Sequence, residues 1–119
     1  MTLTDKTGAP VAVTKESGEF TIGVDGKAVG KTEFAERDGQ RIFYHTEVDE
    51  AFGGRGLATI LIGEALAHTR DDGLRIVPVC PMVAAVVRKR DDIADAVDAP
   101  TQDLLRWVRQ TTGSPHVES

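Results

Sequence analysis

Two Asp-Gly pairs, Asp25-Gly26 and Asp38-Gly39, each stand between runs of strand-forming residues. A two-residue hairpin turn asks for positive φ at both turn positions, which Asp tolerates and Gly adopts freely. Glu19 to Val24 alternates polar and apolar before the first pair. Residues 27–37, with Val29 and Phe34 as the main apolar positions, extend to the second. Residues 40–48 continue beyond it as Gln-Arg-Ile-Phe-Tyr-His-Thr-Glu-Val. The spacing predicts an antiparallel meander of three strands, with residues 11–15 as a strand pairing ahead of them.

After Val48 the hydrophobic period changes. Leu57, Ile60, Leu61 and Ala65 fall at helical spacing, and Ala58, Ile62 and Leu66 widen the stripe, so residues 57–70 predict a helix that stops at Asp71-Asp72-Gly73. Residues 74–80 predict a short apolar strand, and Pro78 inside it marks an edge or a bulge. Pro81 suits the first turn of a second helix with Val83, Val86 and Val87 on one face. Residues 102–110 predict a third helix capped by Thr101, with Leu104, Leu105 and Val108 inward and Trp107 as a packing anchor. A meander strand, a helix and a further strand make a β-α-β crossover. The expected fold is therefore α+β (mixed α/β): an antiparallel β-meander followed by a β-α-β crossover, with helices packed on the sheet. The 119 residues suit one domain over residues 1–100, with residues 101–119 as a C-terminal helix and tail. Residues 1–9 and 112–119 are expected to be mobile ends.

Bulk properties exclude several classes of function. A formal charge of −5 argues against nonspecific nucleic-acid binding. The basic run Arg88-Lys89-Arg90 meets Asp91-Asp92 at once and reads as a solvated helix end. A single cysteine, Cys80, excludes an internal disulfide and a Cys-rich metal site. His45, His68 and His116 lack metal-ligand spacing, so no metal is expected. No apolar run reaches the ~20 residues that span a bilayer, and the first residues lack the charged-then-apolar order of a signal peptide. A cytoplasmic protein, monomeric or weakly dimeric, is expected.

The chemistry concentrates between strand and helix, at Gly53-Gly54-Arg55-Gly56. Glycines let the chain turn sharply there, and the opening amides of the next helix lack partners. With the helix dipole they form an anion site suited to a pyrophosphate, to which Arg55 can add a charge-assisted contact. The Gly-Lys-Ser/Thr ending of a Walker loop is absent. Thr59 stands where a dinucleotide loop needs its third glycine or alanine. A tight turn with no ligand is the simpler alternative.

Gly53-Gly54-Arg55-Gly56-Leu57-Ala58 resembles the GNAT acetyltransferase signature, Gln/Arg-x-x-Gly-x-Gly/Ala after a valine-bearing strand. The resemblance covers roughly residues 18–90. Tyr44-His45-Thr46-Glu47-Val48 and Cys80-Pro81 resemble, in order, two elements of the small single-domain GNAT subgroup. Gly53 departs from Gln/Arg. Met82 and Val86 stand where that subgroup often has aromatics, and Asp91-Asp92 where it has His-Pro. The resemblance implies that Val48, Gly53, Gly54, Arg55, Gly56, Leu57 and Ala58 bind acetyl-CoA as co-substrate. It implies a thioester in the gap between strands 44–48 and 74–80, and an amine as acceptor. Strand alternation puts His45 and Glu47 on one face as an acid–base pair, with Thr46 opposite. Tyr44 falls on the Thr46 face unless a bulge breaks the parity. Cys80, before a helix start, faces the thioester by the resemblance. It can take the acyl group covalently or protonate the leaving thiolate. The reading is an N-acetyltransferase acting on a small-molecule or protein amine. The alternatives are a noncatalytic acyl-CoA binding or sensing module and a small interaction domain using Trp107.

Overall fold

The computed structural model describes residues 3–5, 7–54 and 56–113. Six strands form one sheet in the order β1-β2-β3-β4-β5-β6. They are β1 (Leu3–Thr4), β2 (Pro10–Glu16), β3 (Glu19–Val24), β4 (Lys27–Arg37), β5 (Gln40–Val48) and β6 (Arg75–Pro78). Pairing is antiparallel through β5 and parallel between β5 and β6. Helix α1 (Leu57–Asp71) makes the crossover, α2 (Pro81–Arg88) follows β6, and α3 (Gln102–Thr112) ends the described fold. None of the described helices is long and apolar enough to cross a membrane.

Both Asp-Gly pairs form the predicted two-residue turns. Asp25 and Asp38 sit at φ 51, and Gly26 and Gly39 at φ 83 and 78. Each side chain of the meander then takes its face by alternation, except at two bulges. One puts Val29 between the Gly23–Ala28 and Ile22–Gly30 pairs. The other puts Tyr44 between the Phe34–Phe43 and Glu33–His45 pairs.

Helix α1 covers one face with Leu57, Leu61, Ile62, Ala65 and Leu66, packed on Phe20, Ile22, Phe34 and Phe43. Burial at this scale contributes about 1.5–3 kcal/mol per large side chain. Helix α3 covers part of the other face. Thr101 Oγ1 accepts the Leu104 amide at 3.1 Å, and Leu104, Leu105 and Val108 pack on Ile42 and Val77. Trp107 packs partly against this cluster, with the Arg37 guanidinium 5.1 Å from its ring centroid.

Three expectations are corrected. Residues 3–4 are not loose: they pair with β2, and Asp5 is buried, its carboxylate accepting the amides of Thr7 (2.8 Å) and Ala9 (3.1 Å). Residue 112 belongs to α3, with Gly113 as its left-handed cap, while residues 114–119 lie outside the described residues. The strand expected over 74–80 spans Arg75–Pro78, because Pro78 has no N–H to extend the ladder and the amides of Val79 and Cys80 both turn to the Phe43 carbonyl (3.0 and 2.8 Å). The edge position expected from Pro78 is found: β6 is the last strand of the sheet.

Sequence patterning missed Arg41. It is 2% exposed inside β5, under the C-terminal end of α1. Its Nε and Nη2 donate to Glu36 at 3.0 and 2.9 Å, Nη2 also lies 3.1 Å from Asp72, and Nη1 donates to Thr69 at 3.2 Å. The guanidinium lies 4.8 Å from the Phe34 ring centroid. A buried charge survives where its nitrogens find partners, and here each of the three does, which ties the end of α1 to the sheet.

Candidate active site

Asp49 closes β5. Its amide donates to the Val29 carbonyl at 2.7 Å, and its carboxylate accepts the Ala51 amide at 3.0 Å, starting a single 3-10 turn over Glu50–Phe52. Gly53 leaves that turn extended, its amide on the Glu50 carbonyl at 3.1 Å. Gly54 and Gly56 are left-handed, at φ 79 and 75, and Gly56 caps α1 with no side-chain hydrogen bond. Only glycine adopts this conformation without strain, so the turn into the helix depends on these two residues. The Ile60 amide makes the first return bond, to the Gly56 carbonyl at 3.2 Å. Among the described residues, the amides of Leu57, Ala58 and Thr59 donate to no other group. They and the helix dipole favour an anion just ahead of α1. Arg55, expected to join them, lies outside the described residues.

Beside this helix start runs a groove of about 320 Å³ between α1 and α2. Ala58, Thr59, Ile62, Met82, Ala85 and Val86 line it, with Lys89 and Arg90 at the end of α2. Met82 is 41% exposed there. Anionic-group donors next to an apolar trough with two cations match a ligand with phosphates and a long, weakly polar arm. The basic run is the exposed end of α2, as expected, and its Lys89 and Arg90 also line this groove. Arg90 also forms a bidentate pair with Asp92, both contacts 2.9 Å.

The β5–β6 ladder stops at Phe43–Pro78, so residues 44–48 of β5 have β4 on one side and no β6 partner on the other. Chemistry-bearing residues lie on both faces of this unpaired stretch. On the α1 face, Thr46 sits opposite Thr32, hydroxyl to hydroxyl at 2.8 Å, and Cys80 Sγ lies 3.4 Å from Thr46 Oγ1. Cys80 caps α2 ahead of Pro81 and is buried, as a thiol at a strand end and helix start should be placed. On the other face, His45 Nε2 lies 3.1 Å from Glu47 Oε2. Lys31, across from Glu47, is 3.8 Å from its other oxygen.

The hydrogen bond from His45 is the first cause that holds the Glu47 carboxyl below its ordinary value, and the Lys31 charge adds to it. Glu47 is therefore an acceptor at neutral pH. Across that contact Nε2 of His45 is the donor and the carboxylate the acceptor. His45 and Glu47 thus share a face as predicted. Cys80 does not join them; it lies across the sheet with Thr46.

The Tyr44 bulge explains the parity. Phe43 and Thr46 both face α1, whereas strict alternation would separate them, and Tyr44 instead packs toward the α3 cluster. Burial is the first cause that raises its phenol pKa, with Glu33 and Glu19 adding, so Tyr44 keeps its proton at neutral pH. Val48 is half-buried opposite Gly30. Also on the His45 face, a groove of about 560 Å³ is lined by Glu19, Thr21, Lys31, Glu47, Asp49 and Glu50 among others. Four of those six are acidic: Glu47, Asp49 and Glu50 cluster in the sequence at the end of β5, and the pairing of β3 with β4 brings Glu19 to them.

Residues 19–96 match the profile of a family described as GCN5-related N-acetyl-transferase. That stretch runs from β3 past α2 and leaves out β1, β2 and α3. No functionally curated protein matches the chain. Among solved structures, the NMR structure of a GCN5-like protein from Staphylococcus aureus superposes with a TM-score of 0.59. The likeness covers 76% of this chain and 91% of that one at 22% identity, and speaks for the fold.

Proposed function

The chain belongs to the GCN5-related N-acetyl-transferase family, and from that premise we propose that it moves an acetyl group from acetyl-CoA to an amine. The observation that carries the reading is the continuity of three features. Ala58 and Thr59, whose amides donate to no group among the described residues, line the α1–α2 groove, and Cys80 ahead of α2 lies 3.4 Å from Thr46 in the stretch of β5 that β6 leaves unpaired. The pyrophosphate belongs at Gly54, Gly56, Leu57 and Ala58, with Arg55 and Gly53 beside it. The pantetheine arm then reaches the thioester into the gap along Val48.

The two faces divide the work. Acetyl-CoA enters from the α1 side, which places its sulfur toward Cys80. The amine enters from the acidic groove, which suits a cationic acceptor as it sheds its proton. His45, oriented by Glu47, takes that proton. Attack needs only a neutral nitrogen, a polarised carbonyl and a proton for the departing sulfur.

Acetyl-CoA at a hundredfold excess over its Kd should stabilise the fold by about 2.7 kcal/mol, a rise in Tm of roughly 10 °C. Thiol release that depends on an added amine then shows turnover. An unmoved Tm would sink the reading. Gly53, in place of the family's Gln or Arg, favours a second reading as a noncatalytic acyl-CoA binding module. Binding without thiol release across a screen of small amines and lysine peptides would select it.

A further inference from the structure

A chain of hydroxyls that ends on a carbonyl has a direction, because the carbonyl can only accept. Thr32, Thr46 and Cys80 are 0%, 7% and 4% exposed, so their polar atoms depend on one another. Thr32 Oγ1 donates to the His45 carbonyl at 3.5 Å, the longest of the three contacts. A hydroxyl has one proton. Either hydroxyl could donate across the 2.8 Å contact; with the Thr32 proton on the carbonyl, Thr46 is the donor. Thr46 then has only a lone pair to offer Cys80, and across 3.4 Å the thiol is the donor. A hydrogen bond made by the neutral form of an acid opposes its ionisation.

We propose that Thr46, held by Thr32, is a positioning residue that keeps Cys80 as a thiol and so assigns it to protonating the leaving sulfur rather than attacking the acetyl carbon. The inference rests on the acetyl-transfer reading above and deepens it at the same site. In the step, the acceptor nitrogen forms its bond to the carbonyl carbon and the carbon–sulfur bond breaks. The departing sulfur keeps that electron pair and takes the proton of Cys80, giving free thiol. The nitrogen loses its surplus proton to His45. That proton leaves His45 for solvent, and Cys80 regains one from solvent, so no net charge is made. A lasting thiolate would require Thr46 to turn toward sulfur and Thr32 to turn toward Thr46, giving up the bond to the His45 carbonyl.

The chain holds one cysteine, so the pH dependence of alkylation by iodoacetamide reports Cys80 alone. Thr46→Val removes the acceptor and should lower the midpoint by about one pH unit, near tenfold more thiolate at neutral pH. Thr32→Val frees the Thr46 proton to turn toward sulfur and should lower it as well. Thr46→Ser keeps the acceptor and should restore the original midpoint, which separates the hydrogen bond from general loosening. A raised or unchanged midpoint in Thr46→Val overturns the proposal, since a raised one means that Thr46 donates to a thiolate nucleophile. Intact mass after incubation with acetyl-CoA and no acceptor should show Cys80 unmodified; an acetyl group on it overturns the proposal as well. Failure of acetyl-CoA to raise Tm is a separate result that strikes the parent reading, because the alkylation midpoint needs no bound cofactor.

Discussion

The two halves of β5 begin alike and end in opposite states. From Gln40 to Phe43 the strand is paired on both sides, and its one charge, Arg41, has its donors taken by Glu36, Asp72 and Thr69. From Tyr44 to Val48 the strand keeps β4 and loses β6. Its polar groups there stand at a groove and a gap, held by partners two residues away or across one strand pair. The lower half is a fully satisfied network whose work is structural. The upper half retains polar groups beside an open edge, which is where a ligand can exchange contacts. Burial with complete pairing and burial beside an opening therefore mean different things for side chains on one strand.

Mutation can break that contrast. The largest effect belongs to the lower half. Removing both carboxylates, Glu36→Ala with Asp72→Ala, leaves the Arg41 guanidinium buried without a counter-charge and should cost about 3–5 kcal/mol in urea denaturation. Acetyl-CoA should still raise Tm in whatever fraction folds. The next effect belongs to the upper half and should be opposite in kind. His45→Ala should lower turnover by about 10²-fold or more, equivalent to about 2.7 kcal/mol, and leave stability within about 0.5 kcal/mol. A comparable loss of stability would place His45 in the frame instead of the chemistry.

Gly30 sits between the two behaviours. A Cβ there would meet Ile22 Cγ2 and Val48 Cγ2 at 3.0 Å and the Glu47 carbonyl at 3.1 Å. Gly30→Ala should cost about 1–2 kcal/mol by displacing Val48, and should weaken acetyl-CoA binding in a calorimetric titration. Unchanged affinity would separate Val48 from the thioester channel.

The smallest effect is on pH dependence. The Glu47 carboxyl is depressed by His45, so its contribution to stability is present above the ordinary carboxylate value and is lost as pH falls through the depressed one. Asp92, held at about 2 by Arg90, adds a loss in the same direction as pH falls from about 4 toward 2. Tm in acid should therefore fall slightly less steeply for His45→Ala than for the parent chain, and an identical slope would remove the His45–Glu47 coupling.

The turns, the crossover and the glycine loop were legible because each is written in neighbouring residues. Asp-Gly sets positive φ at two adjacent positions, the change of period separates meander from helix, and glycines recur where the chain must turn left-handed. Thr101 as a cap and Leu104, Leu105 and Val108 as the buried face of α3 were legible for the same reason. The first residues were misread because the β1–β2 pairing leaves no local mark. The end of β6 was misplaced by two residues because apolar character continues past the point where hydrogen bonding stops.

What the amino-acid order determined by itself is the succession of elements and the shape of the loop ahead of α1, since both depend on backbone preferences of residues next to one another. The tertiary structure alone decided the rest. Cys80 meets Thr46 across 34 positions and Arg41 meets Thr69 across 28. The one extra residue at Tyr44 sets which face Thr46 takes. Alternation along a strand is a relative rule. It assigns a face only after pairing has fixed where the bulge falls, and pairing is settled by partners far away in the chain.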